Sequence, residues 1–425
     1  MKNICFAFLM HIPTRLRRYR FFDIGQDHYY TDDLPTEEAV RQTVEQSYMP
    51  LCNTLMDMIR LSKNRFRCAL AVPGTTLDLM EQYAPEMIDL LKQLVATRCV
   101  EMLAMPYSYS LAGEYSASEL KEQLDQHAAL LNDLFGTQST TLWNSELLYS
   151  DELAEQVMQW GYKTLMTEGA KHILSWQSPN YLYRSCSKSK QAVLVRNMVL
   201  SDALSFHFSD GMWQDIPTDA ERFVRHIVDL PQEEQIVNLW MGAETFGLRQ
   251  PESTGIFEFL RALPYYAMEQ EVGFLTPAEA ARKLTPVQTL SSPYALTWAG
   301  EAKDMSAFNG NDLQQEALRQ LYSVVERVHL CTDKSLKADW LMLQDVTCLS
   351  DMNYASQGSN GFDSPYDAFI NYTNILADFL QRVEEQYPTS IENEELNSLL
   401  KTIHNQEQEL SDLRQQLRKR KTAKA

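Results

Sequence analysis

Up to about Leu284, short apolar runs alternate with stretches of helical periodicity, and this alternation constrains the fold more than any other feature of the chain. Cys68–Val72, Val100–Ala104 and Lys163–Thr167 have the length and composition of buried strands. Between such runs, Val40, Val44, Tyr48, Leu51, Leu55 and Met58 recur at steps of three and four residues, which puts them on one face of a helix. Leu79, Tyr83, Met87, Leu90 and Leu94 do the same. Strand–helix alternation of this length favours a parallel sheet, either doubly wound or closed into a barrel. No glycine-rich phosphate loop follows any of the strands, which weakens a nucleotide-binding reading. A barrel with its site at the strand C-termini is the expected fold.

The bulk numbers narrow the function. A chain of 425 residues outgrows one small core and suggests a large α/β domain with helical additions. Its net charge of −19 repels phosphate-rich partners, so nucleic acid is not expected, whereas a neutral polysaccharide is indifferent to that charge. The basic stretch Arg15–Arg20 reads as a structured loop with carboxylate partners nearby. The seven cysteines are scattered and never spaced as CxxC, so neither a disulfide framework nor a zinc cluster is expected, and no cofactor or metal is implied. The apolar N-terminus ends at His11 with arginines soon after and no cleavage site, which suits a first buried strand. No window approaches a membrane span, and a cytoplasmic protein without membrane contact is expected.

Beyond Pro293 the pattern turns helical. Leu313, Ala317, Leu321, Val324 and Val328 form one stripe. A second helix begins at Ser364-Pro365 and runs through Phe369, Tyr372, Leu376, Phe379 and Val383, with residues 353–363 as a loop before it. In the tail, Leu396, Leu399, Ile403, Gln406, Leu410, Leu413 and Leu417 follow heptad steps. Two readings stay open there: a coiled coil that pairs two copies through residues 391–417, or a single helix on its own domain. The expected organisation is a catalytic-type α/β barrel over 1–290, a helical domain over 291–387 packed on the barrel, and a coiled-coil-like tail over 388–425.

Two segments carry chemistry. The apolar run Ile236–Trp240 is followed by Met241-Gly242-Ala243-Glu244-Thr245-Phe246-Gly247, the mouth of a strand. Glu146 lies in the stretch from Thr141 to Glu152, just past a short apolar strand and just before a helix, where barrel enzymes place catalysts. The first segment resembles the MDYETFG signature of glycoside hydrolase family 57, the retaining α-amylase-like enzymes. The second is similar to that family's nucleophile segment, matching it at Asn144, Glu146, Leu147, Tyr149 and Asp151. Thr167–His172 and Arg196–Asp202 are also similar to family segments, and the resemblance runs from about Ile4 to Tyr387. It implies a (β/α)7-type barrel followed by a helical region, an α-glucan or maltooligosaccharide substrate, and Glu146 as the nucleophile.

The resemblance fails where sugar is expected to bind. Gly242 stands at the position of the family's general acid/base aspartate. His11-Ile12-Pro13 replaces a His-Gln-Pro, Met105 an inner glutamate, Tyr109 a histidine, and Phe308 a tryptophan. His11, Tyr109, Trp143, Trp240 and Phe308 are the expected substrate-binding residues, the aromatic ones as cleft walls. Glu244, two residues beyond Gly242 on the same face of a strand, is a possible substitute acid, although the two Cα atoms stand about 6–7 Å apart and the family already has a glutamate there. Three functions follow as expectations: an α-amylase-like protein with little or no hydrolase activity, a working retaining glycosidase or glucanotransferase that uses a substitute acid, or a scaffold that no longer binds sugar. If the heptads pair two chains, deleting the residues after Tyr387 is expected to halve the solution mass measured by light scattering. An unchanged mass leaves the single helix.

Overall fold

The computed structural model describes residues 1–186, 191–210, 218–355 and 361–387, together with residues 398, 399, 402, 403 and 406. Its strands are β1 (Asn3–Leu9), β2 (Cys68–Ala71), β3 (Val100–Met102), β4 (Thr141–Leu142), β5 (Thr164–Thr167), β6 (Tyr183–Ser185), β7 (Ala192–Val195), β8 (Ile236–Gly242), β9 (Gly273–Phe274) and β10 (Gln288–Leu290). Two parallel runs, β3-β2-β1-β8 and β7-β5-β4, make up a seven-stranded barrel. They meet at a parallel bridge between Ala104, beyond β3, and Leu142 of β4. On the other side Asn238 of β8 joins the runs: its side-chain amide donates to the Val195 carbonyl at 2.7 Å, and its own carbonyl accepts from Asn197 N–H at 2.9 Å. The antiparallel β6 extends the sheet beyond β7, with β10 beside it, and β9 pairs with the start of β1.

Every residue of β1 and of β8 is buried, as expected for strands covered by helices on one face and by the barrel interior on the other. The two faces separate by the two-residue period. Ile4, Phe6, Phe8 and Met10 join the layer packed against the helices, as do Val237, Leu239 and Met241. The alternate positions, Cys5, Ala7 and Leu9 on β1 and Asn238, Trp240 and Gly242 on β8, therefore point inward. Small inward residues on β1 and β2, including Ala69 and Ala71, leave room for the indoles of Trp240 and Trp143, whose ring centroids are 6.0 Å apart.

Both expected helical stripes are helical. The first is a continuous run, Asp33–Thr43, a wider π-type turn over Val44–Tyr48, and Met49–Leu61, and all six of its apolar positions are buried. The second breaks at Ala84 into Gly74–Tyr83 and Pro85–Ala96, because Pro85 lacks the N–H needed to continue a helix and instead starts one.

The chain divides into two compact units: residues 1–15, 32–310 and 344–350 hold the barrel, while residues 16–31, 311–343 and 351–425 make the second. The second unit contains helices Asp312–Tyr322, Val325–Leu330, Lys334–Leu343 and Pro365–Gln386. The long last helix begins at Ser364, whose hydroxyl caps Asp367 N–H at 3.1 Å. Its buried Asp378 accepts hydrogen bonds from Tyr30, His28 and Gly25, which fastens the arginine-rich loop to this helix. Within that loop Arg17 pairs with Asp27 at 2.5 Å, and the Arg18 guanidinium lies 4.8 Å from the Phe362 ring centroid. Of the heptad residues, Leu396, Leu410, Leu413 and Leu417 lie outside the described residues, while Leu399, Ile403 and Gln406 are helical. Among the described residues no helix is long and apolar enough to cross a membrane.

Asn238 supplies the polar link between β7 and β8, so its removal tests barrel closure. Asn238→Leu is expected to lower unfolding stability by about 1–3 kcal/mol, because the buried Val195 carbonyl loses its donor. The shift of the urea midpoint against the wild type measures it.

Candidate active site

Register builds the site. Leu9 lies opposite Gly242, so His11 and Glu244, each two residues further on, leave the barrel at the same end. Glu146 enters from the short helical turn Ser145–Leu147 directly after β4, where the Asn144 side chain accepts from Ser145 N–H at 2.9 Å. Glu146, Leu147 and Tyr109 all have φ near +55°. This left-handed conformation is unfavourable for residues with large side chains and persists only where the surroundings enforce it.

The enforcing contacts converge on Glu146. Trp298 donates its indole N–H to Oε2 at 2.7 Å, and its backbone N–H donates to the Glu146 carbonyl at 2.9 Å. The Tyr109 hydroxyl accepts from Glu146 N–H at 3.3 Å. The Tyr109 ring lies 4.2 Å from that of His11, and His11 Nε2 meets Asp345 Oδ2 at 2.7 Å. Burial raises the Glu146 pKa despite opposing contributions from Tyr109, Trp298 and His11. For His11, burial opposes the charge, but Asp345, Glu146 and Glu244 together hold its pKa above the ordinary value.

Gly242 has an ordinary φ of −67°, so its backbone accepts any residue. The space is what is taken: a methyl group added there would overlap the carboxylate of Glu244. That carboxylate also pairs with Arg249 at 3.2 Å. Gly247 is different, since its φ of 98° and the adjacent Gln46 carbonyl both demand glycine.

A cavity of about 340 Å³ opens beside Gly242, with Glu244, Trp298, Arg196, Arg249 and Lys303 among its lining residues. Arg196 is buried and each of its three guanidinium nitrogens donates a hydrogen bond: to the Trp240 carbonyl at 2.7 Å, to Glu168 at 2.9 Å and to Asp202 at 2.5 Å. Its guanidinium also lies 5.6 Å from the Trp298 ring centroid. Burial raises the Glu168 pKa, while Arg196 and Lys303 oppose the rise. Among the described residues no three His, Cys, Asp or Glu side chains are grouped to hold a metal ion.

The structure thus gathers His11, Tyr109, Glu146, Gly242 and Glu244 at one end of the barrel. The aromatic walls need correcting. Trp143 and Trp240 are 0% exposed and Phe308 is 3% exposed, so none of them faces an open cleft. Trp240 points into the barrel interior with Trp143 against it, and Phe308 is buried in the turn Ser306–Asn309. Tyr109, only 2% exposed, supports Glu146 from beneath. The aromatic wall is Trp298, which no sequence pattern marked; Asp345 was missed in the same way.

The fold is that of a (β/α)7 barrel. A family profile described as Glycosyl hydrolase family 57 matches residues 5–293, and the chain belongs to that family. It is 30% identical over 407 residues to a Methanocaldococcus jannaschii protein provisionally named an alpha-amylase, covering 90% of this chain and 85% of that protein. The GH57-type branching enzyme of Pyrococcus horikoshii superposes with a TM-score of 0.65 at 13% identity, covering 95% of each chain. The 4-alpha-glucanotransferase of Thermococcus litoralis gives 0.64 at 14% identity over 88% of this chain, which spans 60% of that enzyme's length. These structures share the (β/α)7 barrel fold.

A carboxyl group whose folded pKa is raised binds more protons in the native than in the unfolded state. Stability therefore falls as pH rises from the ordinary carboxyl value towards the raised one. Glu146→Gln removes that penalty and is expected to melt above the wild type at pH 7. The difference should vanish as the pH falls to about 4, which calorimetry across pH can follow.

Proposed function

We propose that this protein acts on α-glucans or maltooligosaccharides as a retaining glycoside hydrolase with Glu146 as nucleophile and impaired acid catalysis at position 242. The observation that carries this reading is the contrast between two positions. Glu146 is held by Trp298 and Tyr109 next to His11. Gly242 offers no proton. In the proposed reaction the Glu146 carboxylate attacks the anomeric carbon and the bond to the leaving oxygen breaks, giving a glycosyl ester that water then hydrolyses. An unactivated sugar oxygen needs a proton as it leaves, and losing that assistance typically lowers the rate by about 10²–10⁴. Fluoride leaves from a glycosyl fluoride with far less help.

A second reading is favoured by one specific contact, the Glu244 carboxylate lying over Gly242. In that reading Glu244 gives the proton from the space that a side chain at 242 would use, and glucans are turned over at useful rates.

Assays with α-glucosyl fluoride and with maltooligosaccharides separate the readings. Turnover of the fluoride, its loss in Glu146→Gln, and negligible turnover of natural glucan are expected. Gly242→Asp should recover only part of the glucan activity, because Ile12, Met105 and Tyr109 still alter the sugar contacts. Amylase-level turnover of starch by the unmodified protein, abolished in Glu244→Gln, would refute impaired acid catalysis and establish Glu244 as the acid.

A further inference from the structure

Asp345 belongs to no motif and lies on a short segment, residues 344–350, that joins the barrel unit from between stretches of the other unit. Buried polar contacts fix this segment. Gln344 donates to Glu119 at 2.7 Å and accepts from Gln123 at 3.0 Å. Asp345 forms an antiparallel bridge with Ser110, and Val346 N–H reaches the Tyr109 carbonyl at 3.3 Å. The Asp345 carboxylate divides its acceptors: Oδ1 takes Thr347 N–H at 2.9 Å, and Oδ2 meets His11 Nε2 at 2.7 Å. A surface aspartate needs none of these supports.

The His11 ring is fixed from two sides, by the tilted Tyr109 ring with its centroid at 4.2 Å and by Asp345 at its edge, while the Tyr48 hydroxyl holds its carbonyl at 3.2 Å. The ionisable groups acting on it are the carboxylates of Asp345, Glu146 and Glu244, with the hydroxyls of Tyr109 and Tyr48 beside it. We infer that Asp345 is a positioning residue that holds His11 as an oriented cation between Glu146 and Glu244. With Nε2–H committed to Asp345, the imidazolium keeps Nδ1–H as its one remaining donor, suited to a sugar hydroxyl. Its charge also favours the ionised form that Glu146 needs in order to attack. The link to sugar chemistry rests on the function proposed above; the state of His11 does not.

The direct test is NMR titration of the eight histidines of the full chain, with His11 assigned from the signal lost in His11→Gln. In the wild type, His11 should hold its proton above the ordinary histidine midpoint of about 6.5. In Asp345→Asn its proton affinity should fall about tenfold or more, and Asp345→Glu should restore most of it. In α-glucosyl fluoride turnover, the alkaline limb of the pH profile should move to lower pH in Asp345→Asn. A wild-type His11 titrating at or below the ordinary midpoint overturns the inference, even if Asp345→Asn does not fold. So does an unchanged titration in a folded Asp345→Asn. A shifted His11 titration in a protein that never turns over the fluoride would instead sink the proposed hydrolase and leave the role of Asp345 standing.

Discussion

The buried guanidinium of Arg196 is the interaction on which the rest of this site depends. It stands just past β7 and binds the carbonyl of Trp240 on β8, Glu168 just past β5, and Asp202 on the helix Met198–Phe206. A charge this deep is tolerated only when every donor is matched, and breaking one side of such a pair leaves an uncompensated ion that costs several kcal/mol. Arg196 therefore sets the relative positions of several strand ends at once. It also supports the face of Trp298, whose indole holds Glu146, and through Tyr109 and His11 the chain of contacts ends at Asp345. Glu146 is thus placed by a connected polar and aromatic framework.

Much of this was legible in the sequence, for identifiable reasons. Strands such as Cys68–Ala71 and Ile236–Gly242 are buried on both faces, so they read as unbroken apolar runs, and helices buried on one face showed their three-and-four spacing. Glu146, His11 and Gly242 could be placed because each follows a strand, where a barrel exposes its chemistry. The orientation of the tryptophans was not recovered. Trp240 shares the inward face with Asn238 and Gly242, and it fits there only because β1 and β2 present small residues, a complementarity that no single segment reveals. Trp298 and Asp345 lie in stretches without periodic signal and reach the site through contacts between distant parts of the chain.

The substitutions that set this chain apart from the family signature share a physical direction. Ile12 and Met105 are buried apolar side chains, and Met105 keeps only its backbone N–H engaged, with His127 at 3.2 Å. Tyr109 puts a ring and one hydroxyl where the resemblance calls for a histidine. At Ile12 and Met105 the side chains contribute packing rather than hydrogen bonds.

The carboxylate lying over Gly242 also bears on what that position can accept. An acidic side chain there and the present Glu244 could not share that space, because two like charges that close oppose each other's ionisation. The Glu244 carboxylate, beside Arg249, is the far end of a flexible side chain and can turn aside. An aspartate arriving at 242 now meets an occupied site and gains its place only after a second residue has moved. What position 242 can carry is therefore decided by where Glu244 and Arg249 lie.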